Sequence, residues 1–168
     1  QGYEIMDAAH YAYIKENSYN VSPENEETKY DIAFFPLFPL IWKFFSNFGI
    51  VVLNFLFFIT SIILLASIFC KDSLQKAMLI SLALPTLTVF LLPYTEGLFL
   101  FCISLSLWGY KKENKKIYFI GLLLASITRP VFLLFICAAI ATSIYELIKG
   151  KKINLKFLLL TCSPFIIG

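Results

Sequence analysis

Long apolar runs broken by three short lysine clusters are the feature of this sequence that most restricts its fold. The clusters are Lys71 to Lys76, Lys111 to Lys116 and Lys149 to Lys156, and the stretches between them are largely apolar. Hydrophobic residues make up 59% of the chain and charged residues only 15%. Because a segment in lipid must satisfy its backbone hydrogen bonds internally, this pattern favours membrane-spanning α-helices. The sequence therefore predicts an all-α, polytopic integral membrane protein.

The lysine clusters also predict sidedness, because lysines concentrate in cytoplasmic loops. With all three clusters in the cytoplasm, three segments cross towards the cytoplasm and two cross away from it. The first three are 50–70, 98–110 and 131–148, and the other two are 77–93 and 117–128. The net charge of +3 therefore reflects membrane topology and does not indicate a nucleic-acid partner. The chain starts without methionine and stops within a short apolar run, so we expect further helices before and after it.

Two regions follow from this pattern, a polar region 1–33 and a helical membrane region 34–168. The first is rich in acids and lacks a positive bias, so we expect it to be an extracytoplasmic or lumenal loop. Within it, 7–17 could form a helix lying along the membrane interface. In the segment that follows, Pro36 and Pro39 exclude a straight helix through both positions and predict a kinked or half-embedded element.

From Phe44 to the end of the chain, Glu96 and Arg129 are the charges that lie away from the lysine clusters. Each falls at a turn on the predicted outer side, where both could share a cavity with Asp7. An ionised group in a membrane is costly to retain without a partner, which makes both residues candidates for function. A guanidinium offers paired donors suited to phosphate. The alternative is a purely structural salt bridge between Arg129 and Glu96.

Asp7 and His10 lie three positions apart, so a helix would project both from one face, with Tyr11 or Tyr3 as an aromatic wall. The carboxylate could act as general base, metal ligand or acceptor for a sugar hydroxyl. The alternative is a solvated acid beside an interfacial histidine. The sequence has no DxD, no HExxH and no Cys/His cluster, so we assign no metal ligand. No cofactor is predicted, and a divalent cation held by few protein ligands stays open.

Four sequence blocks, taken in order, resemble the PIG-V family of mannosyltransferases, which belongs to the GT-C glycosyltransferases. The blocks are 7–11 (DAAHY), 34–39 (FFPLFP), 94–99 (YTEGLF) and 128–130 (TRP), and the resemblance covers residues 5–135. The family includes enzymes of GPI anchor biosynthesis and bacterial relatives. The chain departs from the usual family pattern at three positions, with Met6 for Trp, Phe38 for Tyr and Gly97 for Ser.

The resemblance implies an inverting transfer of a sugar, with mannose expected, from a polyprenyl- or dolichyl-phosphate donor to a hydroxyl of a glycolipid or glycan. Asp7 would be the general base and Arg129 would stabilise the departing phosphate. His10, Tyr11, Tyr94 and Glu96 would contact the substrate or hold these two groups. The implied location is a bacterial plasma membrane or, alternatively, the endoplasmic reticulum membrane, with membrane lipid as a further partner.

Two other functional classes remain open from the sequence. A transporter or lipid flippase would also place Glu96 and Arg129 along a path through the membrane, although it would have no use for the acidic, aromatic loop around Asp7. A non-catalytic assembly subunit would keep the helices and have no need of the charges. Consumption of a lipid-phosphate sugar separates the enzyme from both.

Overall fold

The computed structural model describes residues 7–19, 35–70, 73, 75, 81, 83, 87–129, 133–149 and 155–163. All regular secondary structure within these ranges is helical, which confirms the all-α prediction. Among the described helices, Asn47–Phe69 is long and apolar enough to cross a membrane. The prediction of several membrane crossings stays a prediction.

The helices follow the apolar segments of the sequence closely. In chain order they are α1 (Asp7–Asn17), α2 (Leu37–Trp42), α3 (Asn47–Phe69), α4 (Leu87–Phe90), α5 (Glu96–Lys111), α6 (Lys115–Ser126), α7 (Leu133–Ile148) and α8 (Leu155–Cys162). Helix α1 has the predicted bounds. The predicted span 77–93 lies mostly outside the described residues, apart from α4 and the turn that follows it.

Local chemistry explains where α2 and α3 begin. Helix α2 starts directly after Pro36 and includes Pro39 within its first turn, where a backbone N–H has no intrahelical acceptor to lose. The segment predicted to be kinked or half-embedded is therefore a short helix that begins between its two prolines. Helix α3 starts at Asn47, earlier than predicted, because the Ser46 side chain caps it by accepting a 3.0 Å hydrogen bond from the Gly49 N–H.

Helices α5 and α6 form a tightly packed antiparallel hairpin. The connecting turn includes Glu113 with a φ of 56°, and Asn114 then caps α6 by accepting from the Ile117 N–H at 3.2 Å. A Cβ at Gly109 would lie 2.5 Å from the Tyr118 nitrogen, and one at Gly121 would lie 2.8 Å from the Cys102 carbonyl oxygen. Small residues therefore let the two backbones approach closely, as is common between membrane helices.

Helix α3 runs parallel to α5, with its N-terminus extending beyond that of α5. Asn54 of α3 packs on Gly97 of α5, and Phe57 stacks on Phe101 with ring centroids 5.1 Å apart. Asn54 lies about 10 Å along α3 from its start. The start of α5 and the end of α6 therefore lie at one end of the bundle, where the start of α3 extends past them. The lysine-rich turn of the hairpin lies at the other end.

Helices α1 and α2 pack over the end of the bundle that holds the start of α5. The Tyr11 ring meets Phe38 edge-on with centroids 5.3 Å apart, and the Leu37 N–H donates to the Ile127 carbonyl at 3.4 Å. One buried cluster joins the two helices to α3, α5 and α6. Its members are Tyr11, Phe38, Trp42, Ile50, Leu98, Cys102 and Ala125.

Single-cysteine labelling should place the two ends of the bundle on opposite sides of the membrane. In a background without the native cysteines, an impermeant maleimide should label Asn17→Cys in intact cells and Lys112→Cys only after permeabilisation, because the lysine-rich turn is predicted to face the cytoplasm. Both positions are exposed, so access to the side chain does not limit labelling. Labelling of both from the same side would contradict the topology.

Candidate functional site

The two isolated charges of the apolar region meet in the structure. The Arg129 Nη1 atom lies 2.9 Å from Glu96 Oε1, and the side chains are 32% and 28% exposed, respectively. The pair is thus neither buried in the core nor free in solvent. A guanidinium has five N–H donors, so this contact leaves donors on Arg129 for a second anion.

Helix ends favour both charges where they lie. Glu96 is the first residue of α5, and Arg129 follows the last residue of α6, Ser126, by three positions. An acid is stabilised at a helix N-terminus and a cation at a C-terminus. The antiparallel hairpin brings these two ends together, so the ion pair closes the open end of α5 and α6.

A buried threonine precedes each member of the ion pair. Thr95 precedes Glu96, and Thr128 precedes Arg129; both are buried. The Thr128 hydroxyl donates to the Leu124 carbonyl at 2.6 Å, while the Arg129 N–H donates to the Ala125 carbonyl at 3.2 Å. The end of α6 is therefore fixed by hydrogen bonds that do not involve the guanidinium.

Asn54 fixes the turn that leads into Glu96. Its fully buried side chain donates from Nδ2 to the Leu92 carbonyl at 2.8 Å and to the Phe90 carbonyl at 3.3 Å. Its Oδ1 atom lies against Gly97 and has no hydrogen-bond partner among the described residues. Our sequence analysis did not single out Asn54, although an amide in the interior of an otherwise apolar helix is itself a sign of a buried polar contact.

Asn54→Ala should lower the free energy of unfolding by about 2 kcal/mol, because two backbone carbonyl groups lose the donor that this fully buried side chain supplies. Thermal unfolding of the detergent-solubilised protein would measure the change. Asn17→Ala is the matched control, since the exposed Asn17 makes a single 3.3 Å hydrogen bond within α1. Equal stability of the two variants would contradict the role given to Asn54.

The other predicted site residues lie on α1 and before α5. Asp7 begins α1, but its side chain lies outside the described residues. His10 is half-buried, and Tyr11 is only 6% exposed, so the Tyr11 ring lies in the core instead of forming an open wall. Tyr94 is half-buried in the turn before Glu96. Within the described residues no group of three or more His, Cys, Asp or Glu is placed to hold a metal ion.

The packing of Tyr11 shows that α1 lies at the same end of the bundle as the ion pair. It shares a buried cluster with Leu98 in the first turn of α5 and with Ala125 near the end of α6. The structure thus brings Glu96 and Arg129 together and places α1 at the same end of the bundle.

Comparisons of the chain with protein-family models, with curated proteins and with solved structures found no match. The resemblance to the PIG-V family therefore rests on the four sequence blocks alone.

Proposed function

We propose that the protein is a polytopic membrane glycosyltransferase. It moves a sugar, mannose by resemblance, from a polyprenyl- or dolichyl-phosphate donor to a hydroxyl of a glycolipid or glycan on the extracytoplasmic side. The observation that carries the proposal is the ion pair of Arg129 with Glu96, one-third exposed at the end of the bundle where α1 packs. An arginine held there by an acid retains donors for a lipid phosphate.

In the proposed reaction, the acceptor oxygen attacks C1 of the donor sugar in a single displacement. Asp7 takes the proton of the acceptor hydroxyl, the bond between C1 and the phosphate oxygen breaks, and the electron pair leaves with the phosphate. Arg129 stabilises the charge that grows on this phosphate. Glu96 holds the guanidinium in place, and His10 and Tyr94 contact sugar hydroxyls. The buried Tyr11 ring supports α1.

The membrane setting is part of the proposal. It is supported by the length of α3, by the small residues between α5 and α6, and by the position of the lysine-rich turn opposite the ion pair. A bacterial plasma membrane is the proposed location, with the endoplasmic reticulum membrane as the alternative.

Incubation of membranes containing the protein with labelled mannosyl-phosphoryl-polyprenol and a glycolipid acceptor fraction tests the proposal. We expect release of polyprenyl phosphate together with a new α-mannoside, both followed by thin-layer chromatography. Lys112→Gln, which removes a charge from the opposite end of the hairpin, is the control variant and should keep this activity. Movement of lipid across the membrane without donor consumption would instead identify a transporter or flippase.

A further inference from the structure

A groove of about 190 Å³ lies between α1 and α2, outside the site proposed for sugar transfer. Most of the side chains that line it are apolar, and the exposed Ser18 and Lys43 add a hydroxyl and an ammonium group. The lining includes Ile14, Pro36, Pro39 and Leu40 together with Ser18 and Lys43. This combination suits a ligand with an apolar chain and an anionic group.

One lysine in the groove lining, Lys43, and one on the adjoining turn of α1, Lys15, are each paired with a neutral oxygen. The Lys43 ammonium donates to the Ser18 hydroxyl at 2.9 Å, and the Lys15 ammonium donates to Asn47 Oδ1 at 3.2 Å. The Lys15 ammonium also lies 5.4 Å from the centre of the Trp42 ring. In the described part of the chain, neither lysine contacts a carboxylate. No acid of the described residues therefore neutralises either charge.

Two contacts beside the groove lie at different levels along the bundle axis. At one level, Lys15 next to the groove is bonded to Asn47, the first residue of α3. At the other level, Pro36 precedes Leu37, whose N–H is bonded to Ile127 near the end of α6. The start of α3 extends past the end of α6 at this end of the bundle. The lysines therefore lie nearer the predicted extracytoplasmic surface, and the prolines lie nearer the middle of the bundle.

The surface around the groove is suited to lipid. Phe44 is 80% exposed and Phe48 is 76% exposed, both at the junction of α2 and α3. Exposed aromatic and apolar side chains at one level, with lysine ammonium groups beside them, are typical of the boundary between the acyl chains and the headgroups.

We infer that the groove binds an anionic phospholipid of the surrounding bilayer. Its phosphate is held by Lys43 and Lys15, and one acyl chain descends over Leu40, Pro39 and Pro36. The lysine charges favour an anionic headgroup over a zwitterionic one. The lysines lie nearer the membrane surface than the apolar lining, as the phosphate of a bilayer lipid lies nearer the surface than its acyl chains. The inference shares with the proposed function only the membrane setting and requires no transfer activity.

Native mass spectrometry of the detergent-solubilised full chain tests this site with phosphatidylglycerol and phosphatidylcholine as probes. We expect the protein to retain phosphatidylglycerol preferentially. Lys15→Gln with Lys43→Gln should weaken this retention roughly tenfold or more. The control variant, Lys112→Gln with Lys116→Gln, removes the same charge at the opposite end and should retain the lipid. Leu40→Glu, which places a carboxylate in the groove, should also lose it.

Three results would overturn the inference. These are equal retention of phosphatidylcholine, equal loss of phosphatidylglycerol in the two double-lysine variants, and displacement of the bound phosphatidylglycerol by an equimolar amount of polyprenyl phosphate. The last result would assign the groove to the sugar donor instead. Because lipid retention is measured without turnover, an inactive protein that still binds phosphatidylglycerol would refute the proposed function and leave this inference standing.

Discussion

Arg129→Gln should lower the proposed sugar transfer by roughly two or more orders of magnitude, because in the proposed reaction the leaving phosphate would lose the cation that stabilises its growing charge. Arg129→Lys should retain part of the activity, since it keeps the charge and loses the planar pair of donors. Release of polyprenyl phosphate from the labelled donor measures both effects. Thermal unfolding of each variant shows how much of the loss comes from stability.

The double variant Glu96→Gln with Arg129→Gln separates catalysis from structure. If Arg129 serves only as the partner of Glu96, each single change leaves an unpaired charge and destabilises the protein, and removing both charges restores folding and activity. If Arg129 serves the phosphate, the double variant folds but stays inactive. A folded, active double variant would therefore eliminate the phosphate-binding role.

Asp7→Asn should lower turnover by roughly two or more orders of magnitude with donor affinity largely unchanged, because the amide keeps the size of the side chain and loses its basicity. Turnover and donor binding, measured separately on the same preparation, check this expectation. Glu16→Gln is the matched control, since Glu16 is an exposed acid on the same helix. Near-normal turnover of Asp7→Asn would place the general base elsewhere.

Much of the helical framework could be predicted from local sequence. The bounds of α1 were correct, and α3 differed mainly at its start, where the capping Ser46 lies outside the apolar run. The meeting of Glu96 and Arg129 was foreseen as one of two alternatives, because isolated charges in apolar sequence need partners. Whether Arg129 also serves a substrate depends on what binds there, which the sequence of the turn does not contain.

The contact between Asn54 and Gly97 shows what local sequence could not predict. It depends on the offset between α3 and α5, and neither helix encodes that offset by itself. The family that the chain resembles usually has serine at the position of Gly97. A Cβ there would lie 2.8 Å from the Asn54 backbone oxygen, so glycine permits the close approach of the two helices. Packing against Asn54 therefore explains the glycine at position 97 of this chain.

The serines and threonines of the helices have a consequence for assembly in a bilayer. Many of their hydroxyls donate to a carbonyl of their own helix, as Ser61 does to Phe57 at 2.6 Å and Ser104 does to Leu100 at 2.7 Å. In the proposed membrane setting, such a helix would enter lipid with these polar groups already satisfied, so insertion could precede association. The later docking of the helices would then be directed by shape, with glycine against backbone, and would tolerate exchange of these hydroxyl residues for alanine better than any enlargement of the glycines.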